Sequence, residues 1–173
     1  MNEPLFDCLA DLFGYPRDDY QSLVSRLRAV AAATPLEALA EQFAANVADR
    51  TLLELEELYT RTFDLNPICA LEVGWHLFGE DYNRGLFLVR VRQLLARYAI
   101  AEEGELPDHL AHVLRILARL PRSEAEVFAY AVVMQAVDAM LSGLADKESE
   151  FEPLLRAVSA AVGELCPTEL VES

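Results

Sequence analysis

A chain of 173 residues suits one domain with a sizeable core, and 53% hydrophobic against 25% charged content excludes a disordered polymer. The formal net charge of -15, from 29 acidic and 14 basic residues, repels phosphate backbones and anionic lipid head groups. Nucleic acid and membrane surfaces are therefore poor partners, whereas a basic peptide is drawn in by the long-range field. Cys8, Cys69 and Cys166 are too few and too scattered for a disulfide framework or a CxxC metal knuckle. The start, Met1-Asn2-Glu3-Pro4, lacks a signal-peptide pattern and no uninterrupted apolar run approaches a membrane span, so a cytoplasmic protein is expected.

Leu5, Phe6, Leu9, Leu12 and Phe13 recur at helical spacing and predict a first helix, stopped by Gly14 and Pro16. A second begins near Asp18 or Asp19 and carries Tyr20, Val24, Leu27 and Val30; Thr34-Pro35 ends it and opens a third, to about Ala48. Thr51 and Glu54 have capping-box spacing for a fourth helix that reaches Phe63 and breaks at Asn66-Pro67. Ile68 to Phe78 reads as a short fifth helix, weakened by Gly74. After Gly79-Glu80-Asp81 a long sixth runs to Tyr98, with Tyr82, Leu86, Val89, Gln93 and Leu94 along one face.

The acidic stretch from Glu102 to Pro107 is loop-like, and Asp108 is placed to cap a seventh helix that Pro121 ends. Ser123 to Leu141 is apolar over much of its circumference and is expected in the middle of the bundle. A last helix follows from Pro153 to about Leu165. The expected fold is thus all-α, a single-domain bundle of about eight to nine helices over residues 1–165 with an acidic tail at 166–173; there is no strand pair and no repeat of fixed period.

Catalytic motifs are absent: no P-loop, no GxGxxG, no nucleophile elbow and no HExxH. Glu72 with His76, and His109 with His112, have helix-face spacing for metal ligands, but the repeated Glu-x-x-His units of a di-metal bundle are missing. Cys69 is a nucleophile by chemistry alone, and a lone Cys is more often a buried apolar residue. Between Tyr59 and Gly85 lie the one Trp and the Asn66-Pro67 breaker. Tyr59, Phe63, Trp75 and Phe78 read either as core anchors or as walls of a groove that accepts a partner segment.

The runs Tyr59-Thr60-Arg61-Thr62-Phe63-Asp64, His76-Leu77-Phe78-Gly79-Glu80 and Arg84-Gly85 resemble the NarJ-type chaperones, the delta-subunit assembly factors of respiratory nitrate reductases. Glu105-Leu106-Pro107-Asp108-His109-Leu110 is similar to that group and to the wider TorD/DmsD-like redox enzyme maturation proteins. Gly74 to Gly79 departs from the family, which has a Glu-His-x-His-Gly-like stretch there. The resemblance implies a helical chaperone without catalytic turnover. Its partner would be the apo catalytic subunit of a molybdoenzyme, held by its N-terminal segment until molybdenum cofactor is inserted. It implies a client site at Tyr59, Phe63, Asp64, His76, Arg84, Gly85, Pro107, Asp108 and His109, to which proximity adds Glu72 and Trp75. No cofactor of its own is expected, and a homodimer stays open. Two other readings remain: a metal-dependent helical enzyme using Glu72, His76, Asp108 and His112, and an adaptor subunit kept in the mature complex.

Overall fold

Two acids on the first helix meet two arginines from the middle of the chain, and this pairing organises the bundle. In the computed structural model, which describes residues 3–145 and 147–165, α1 (Glu3–Leu12) packs along α7 (Leu110–Arg119). Arg119 donates to Asp7 at 2.7 Å and Arg115 to Asp11 at 2.9 Å, beside the fully buried Leu9 and Leu12. Partly exposed pairs of this kind add little stability but oppose slippage of one helix along the other. Leu110, His112, Val113, Leu114, Ile116 and Leu117 are all buried, so α7 is covered on nearly every side. The sequence favours the later apolar run for that central place. The structure gives it to α7, because the later run leaves Val127 and Ala131 exposed.

Around this axis α2 (Tyr20–Ala31) and α3 (Glu37–Val47) fold back on α1 and on α10 (Glu152–Gly163). The Tyr20 hydroxyl donates to the Leu12 carbonyl at 2.9 Å, closing the turn between α1 and α2. α4 (Leu52–Tyr59) opens with the predicted capping box, Thr51 and Glu54 satisfying each other's backbone N–H groups. It then widens into a π-helical turn, Thr60–Asp64, in which Leu65 N–H reaches the Thr60 carbonyl at 3.0 Å.

α5 (Val73–Phe78) starts later than the periodicity predicts. Residues 67–72 are instead tied to the segment ahead of α7. Leu110 N–H donates to the Leu71 carbonyl at 2.8 Å, Val73 N–H to the Asp108 carbonyl at 2.9 Å, and Glu72 and His109 form an isolated antiparallel bridge. These backbone bonds outcompete a helix starting at Ile68 and leave an irregular strap between α4 and α5. α6 (Tyr82–Arg97) is capped by Asp81, which accepts from Asn83 N–H at 2.8 Å.

α8 (Arg122–Phe128), a second π turn (Ala129–Met134) and α9 (Gln135–Leu144) form one continuous run of 23 residues. By length and composition it is the one helix among the described residues sufficient to cross a membrane. Ala125, Ala129, Val133, Ala136, Val137 and Met140 nevertheless form a buried stripe along it. Among the described residues this makes nine continuous helices, within the expected range. The acidic tail at 166–173 lies outside the described residues.

Candidate functional site

The strap and the π turn leave a cleft between α5, α6 and the entrance to α7. Its volume is about 360 Å³, with Phe63 and Asp64 from the π turn, Leu71 and Glu72 from the strap, Trp75 from α5, Arg84 from α6, and Glu105 and His109 from the α7 side. A π turn shifts side chains relative to a regular helix, and here both cleft residues, Phe63 and Asp64, lie within it. The Thr62 hydroxyl donates to the Leu58 carbonyl at 2.7 Å, holding the turn from inside.

Behind the cleft floor stands an aromatic wall. Phe63 meets Tyr59 at 5.1 Å and Phe151 at 4.8 Å between ring centroids, both edge-on, and Tyr59 and Phe63 are each 2% exposed. Both Tyr59 and Phe63 are buried as core anchors, and Phe63 also lines the cleft. Trp75 is half-buried, donates from Nε1 to the Pro67 carbonyl at 3.2 Å and lies 5.8 Å from the Arg84 guanidinium carbon. Phe78 sits apart, against Phe87.

His109, not Asp108, caps α7. Its Nδ1 accepts from Ala111 N–H at 3.2 Å, which leaves the ring proton on Nε2, 3.4 Å from the Tyr59 hydroxyl oxygen. Since Tyr59 donates to the Phe13 carbonyl at 2.9 Å, its oxygen is free to accept from His109. Burial, then the charges of His112 and Arg115, push the His109 pKa down to about 3, so the imidazole is neutral at physiological pH.

Asp108 is fully buried and reaches the other way: Gly74 N–H in the first turn of α5 donates to its Oδ2 at 2.9 Å. It thus caps α5 from a distant segment. This close approach requires Gly74, since a Cβ there would meet Asp108 Oδ2 at 2.7 Å and Phe87 at 3.0 Å. Arg84 Nε lies 4.0 Å from the same oxygen, too far for a hydrogen bond, and Asp108 Oδ1 has no hydrogen-bond partner among the described residues. Burial holds the Asp108 carboxyl above the usual carboxylate range, partly offset by Gly74 N–H and Arg84.

The cleft lining sets three acids, Asp64, Glu72 and Glu105, against one arginine, Arg84. Burial raises the Asp64 carboxyl and Glu72 raises it further; burial, Asp64 and Glu72 raise Glu105 in the same way. Asp64, Glu72 and Glu105 line one cleft with Trp75, so acidic oxygens that can accept from a cation stand near an apolar ring. Nucleophilic chemistry at Cys69 has no support: the thiol is fully buried, burial pushes its pKa up, and it donates weakly to the Met140 carbonyl at 3.8 Å.

The cleft gathers Phe63, Asp64, Glu72, Trp75, Arg84 and His109 from the residues singled out by sequence. Tyr59 and Asp108 stand directly behind it, and Pro107 is buried in the segment that carries them. His76 faces the strap, its Nε2 bonding the Ala70 carbonyl at 2.6 Å, and Gly85 lies exposed on another side of α6. Glu105, Leu71, Pro67 and Ala70 were missed. Glu105 opens the motif quoted above, and its acidity was the available signal. The metal set Glu72, His76, Asp108 and His112 does not converge: His76 is held by Ala70, His112 bonds the Leu106 carbonyl at 2.9 Å, and Asp108 is held by Gly74. Among the described residues no group of three or more His, Cys, Asp or Glu is placed to hold a metal ion.

With this geometry in view, the family model for the nitrate reductase delta subunit matches residues 29–153. The chain belongs to that family. It is 31% identical over 127 residues to the nitrate reductase molybdenum cofactor assembly chaperone NarJ of Escherichia coli K12, and equally to that of strain O157:H7. The aligned stretch is 71% of this chain but 45% of those relatives, so the chain spans about half the length of the curated proteins it matches. Its fold is similar to a solved structure from Archaeoglobus fulgidus assigned as a redox enzyme maturation protein, with a TM-score of 0.66, 20% identity and 94% of both chains covered. The family match takes in the π turn, the strap and the segment from Glu105 to His109, which is the whole of the cleft.

Proposed function

We propose that the chain is an assembly chaperone without catalytic turnover. It binds the N-terminal segment of the apo catalytic subunit of a molybdoenzyme, a respiratory nitrate reductase or close relative, and holds it in the cytoplasm for molybdenum cofactor insertion. The observation that carries this reading is the cleft itself, which Asp64, Glu72 and Glu105 line together with a half-buried tryptophan within the family-matched region. A client Arg or Lys would pair with Asp64, Glu72 and Glu105, and its apolar neighbours would cover Trp75. A charge-assisted hydrogen bond of that kind contributes about 1.5–3 kcal/mol where water is excluded. Long-range attraction by the acidic surface adds to encounter rate more than to affinity.

Trp75 is the one tryptophan in the chain and lines the cleft, so its fluorescence reports directly on occupancy. Titration with a peptide copied from the N-terminus of a molybdoenzyme catalytic subunit of the same organism is expected to shift and saturate that emission. A scrambled peptide of the same charge is expected to leave it unchanged. Copurification with the immature enzyme, and not with the finished one, separates a chaperone from an adaptor subunit that stays in the complex.

A further inference from the structure

Two buried polar atoms stand unpaired on neighbouring side chains at the edge of the cleft. Arg84 Nε on α6 and Asp108 Oδ1 ahead of α7 are both shut away from solvent, and neither has a hydrogen-bond partner among the described residues. Such atoms carry the cost of losing water with no bond to offset it. Arg84 Nε stops 4.0 Å from Asp108 Oδ2, about 1 Å beyond hydrogen-bond reach. An approach of that size would set Nε and a terminal guanidinium nitrogen against the two carboxylate oxygens, the forked geometry that arginine and carboxylate favour.

Arg84 is drawn the other way by Trp75. Its guanidinium carbon lies 5.8 Å from the indole ring, within cation–π reach, and the ring is fixed in turn by the bond from Nε1 to the Pro67 carbonyl at 3.2 Å. Beneath the arginine stem lies Gly74, where a Cβ would stand 3.4 Å from Arg84 Cγ and 2.7 Å from Asp108 Oδ2. Glycine at this position leaves the arm a clear path from ring to carboxylate.

We propose that Arg84 and Asp108 form a latch, open in the free chain and closed when a client base enters the cleft. On the client reading, on which this proposal rests, the base comes to Asp64, Glu72 and Glu105 beside Trp75. Two cations at one ring repel each other, so Arg84 leaves Trp75 and moves onto Asp108. The move clears the aromatic face for the client and satisfies both orphan atoms. It also pairs a carboxylate that is costly to bury alone, and draws α6 towards the entrance of α7, the two walls between which the client lies. Arg84 is thus a positioning residue that acts through Asp108.

A double-mutant cycle with Arg84→Gln and Asp108→Asn, read by the emission of the one tryptophan, tests the latch. Measured on binding, such a cycle reports the change in coupling between free and occupied protein, so a pair that never moves gives additive effects. Two probes serve at constant ionic strength: the N-terminal peptide of a molybdoenzyme catalytic subunit of the same organism, and arginine amide at millimolar concentration. Asp108→Asn is expected to weaken peptide binding about tenfold with Arg84 present and less than about twofold beside Arg84→Gln, with unchanged helical circular dichroism. Arginine amide should show the same dependence on Arg84. Equal effects with and without Arg84, or none, overturn the latch and leave the client reading standing where the peptide binds. Coupling seen with arginine amide when no peptide binds keeps the latch and removes the client reading. Binding of neither probe overturns both.

Discussion

Asp108 shows how one buried carboxylate can hold a site together at a cost to the fold. Its folded pKa is raised mainly by burial. The penalty on its ionised form is therefore absent below the unfolded carboxylate pKa, grows as pH rises towards the folded one, and stays constant above it. Asp108→Asn can keep an acceptor for Gly74 N–H and has no charge to bury. Denaturant melts at pH 7 should show it more stable than the wild type, with the difference vanishing as pH falls through the carboxylate range. His109 acts in the opposite sense. With a folded pKa of about 3 against 6.5 unfolded, its contribution is intact above pH 6.5 and is lost as pH falls towards 3. Between pH 7 and 5 that loss is about 2 kcal/mol. His109→Asn retains an N-cap acceptor for Ala111 N–H and does not titrate, so its stability should fall less over the same interval.

At the scale of elements, two glycines that look alike in sequence have opposite roles. Gly74 sits where a Cβ would strike Asp108 Oδ2 and Phe87, whereas Gly85 faces open space. Gly74→Ala is expected to destabilise by about 1–3 kcal/mol, because a tight contact outweighs helix propensity. Gly85→Ala is expected to stabilise by up to about 1 kcal/mol, and thermal melts of both variants give the signs. Gly143 in α9 belongs with Gly74: a Cβ there would overlap the side chain of Ile68, so α9 helps seat the strap. Helix order and the Thr51 cap were legible because periodicity and capping are local. The late start of α5, the π turn and the reversal of Asp108 were not, since each depends on bonds between residues 34 or more apart or on space left by another helix. On α6 the face of Tyr82, Leu86 and Val89 was legible as apolar, but sequence spacing cannot say that the core takes Val91 and Leu95 instead and leaves that face exposed. In the cleft, aromatics and motif residues were legible. Glu105 was not, because an acid in an acidic loop looks like solvated surface until Asp64 and Glu72 are brought beside it.

For the molecule as a whole, charge and cleft divide the work. A net charge of -15 attracts a basic segment from any side, and ions screen that attraction beyond about 10 Å at 0.1 M salt. Only the cleft presents tryptophan and clustered carboxylates together. Client affinity should therefore weaken with salt but persist. The most direct test is calorimetric titration of the full chain with the N-terminal peptide of a molybdoenzyme catalytic subunit of the same organism, repeated with Trp75→Ala and with Glu105→Gln. We predict saturable one-site binding, weakened about tenfold or more by Trp75→Ala and to a lesser degree by Glu105→Gln, with both variants folded. No binding by the wild type, or binding that neither substitution changes, would contradict the assignment of the cleft to the client.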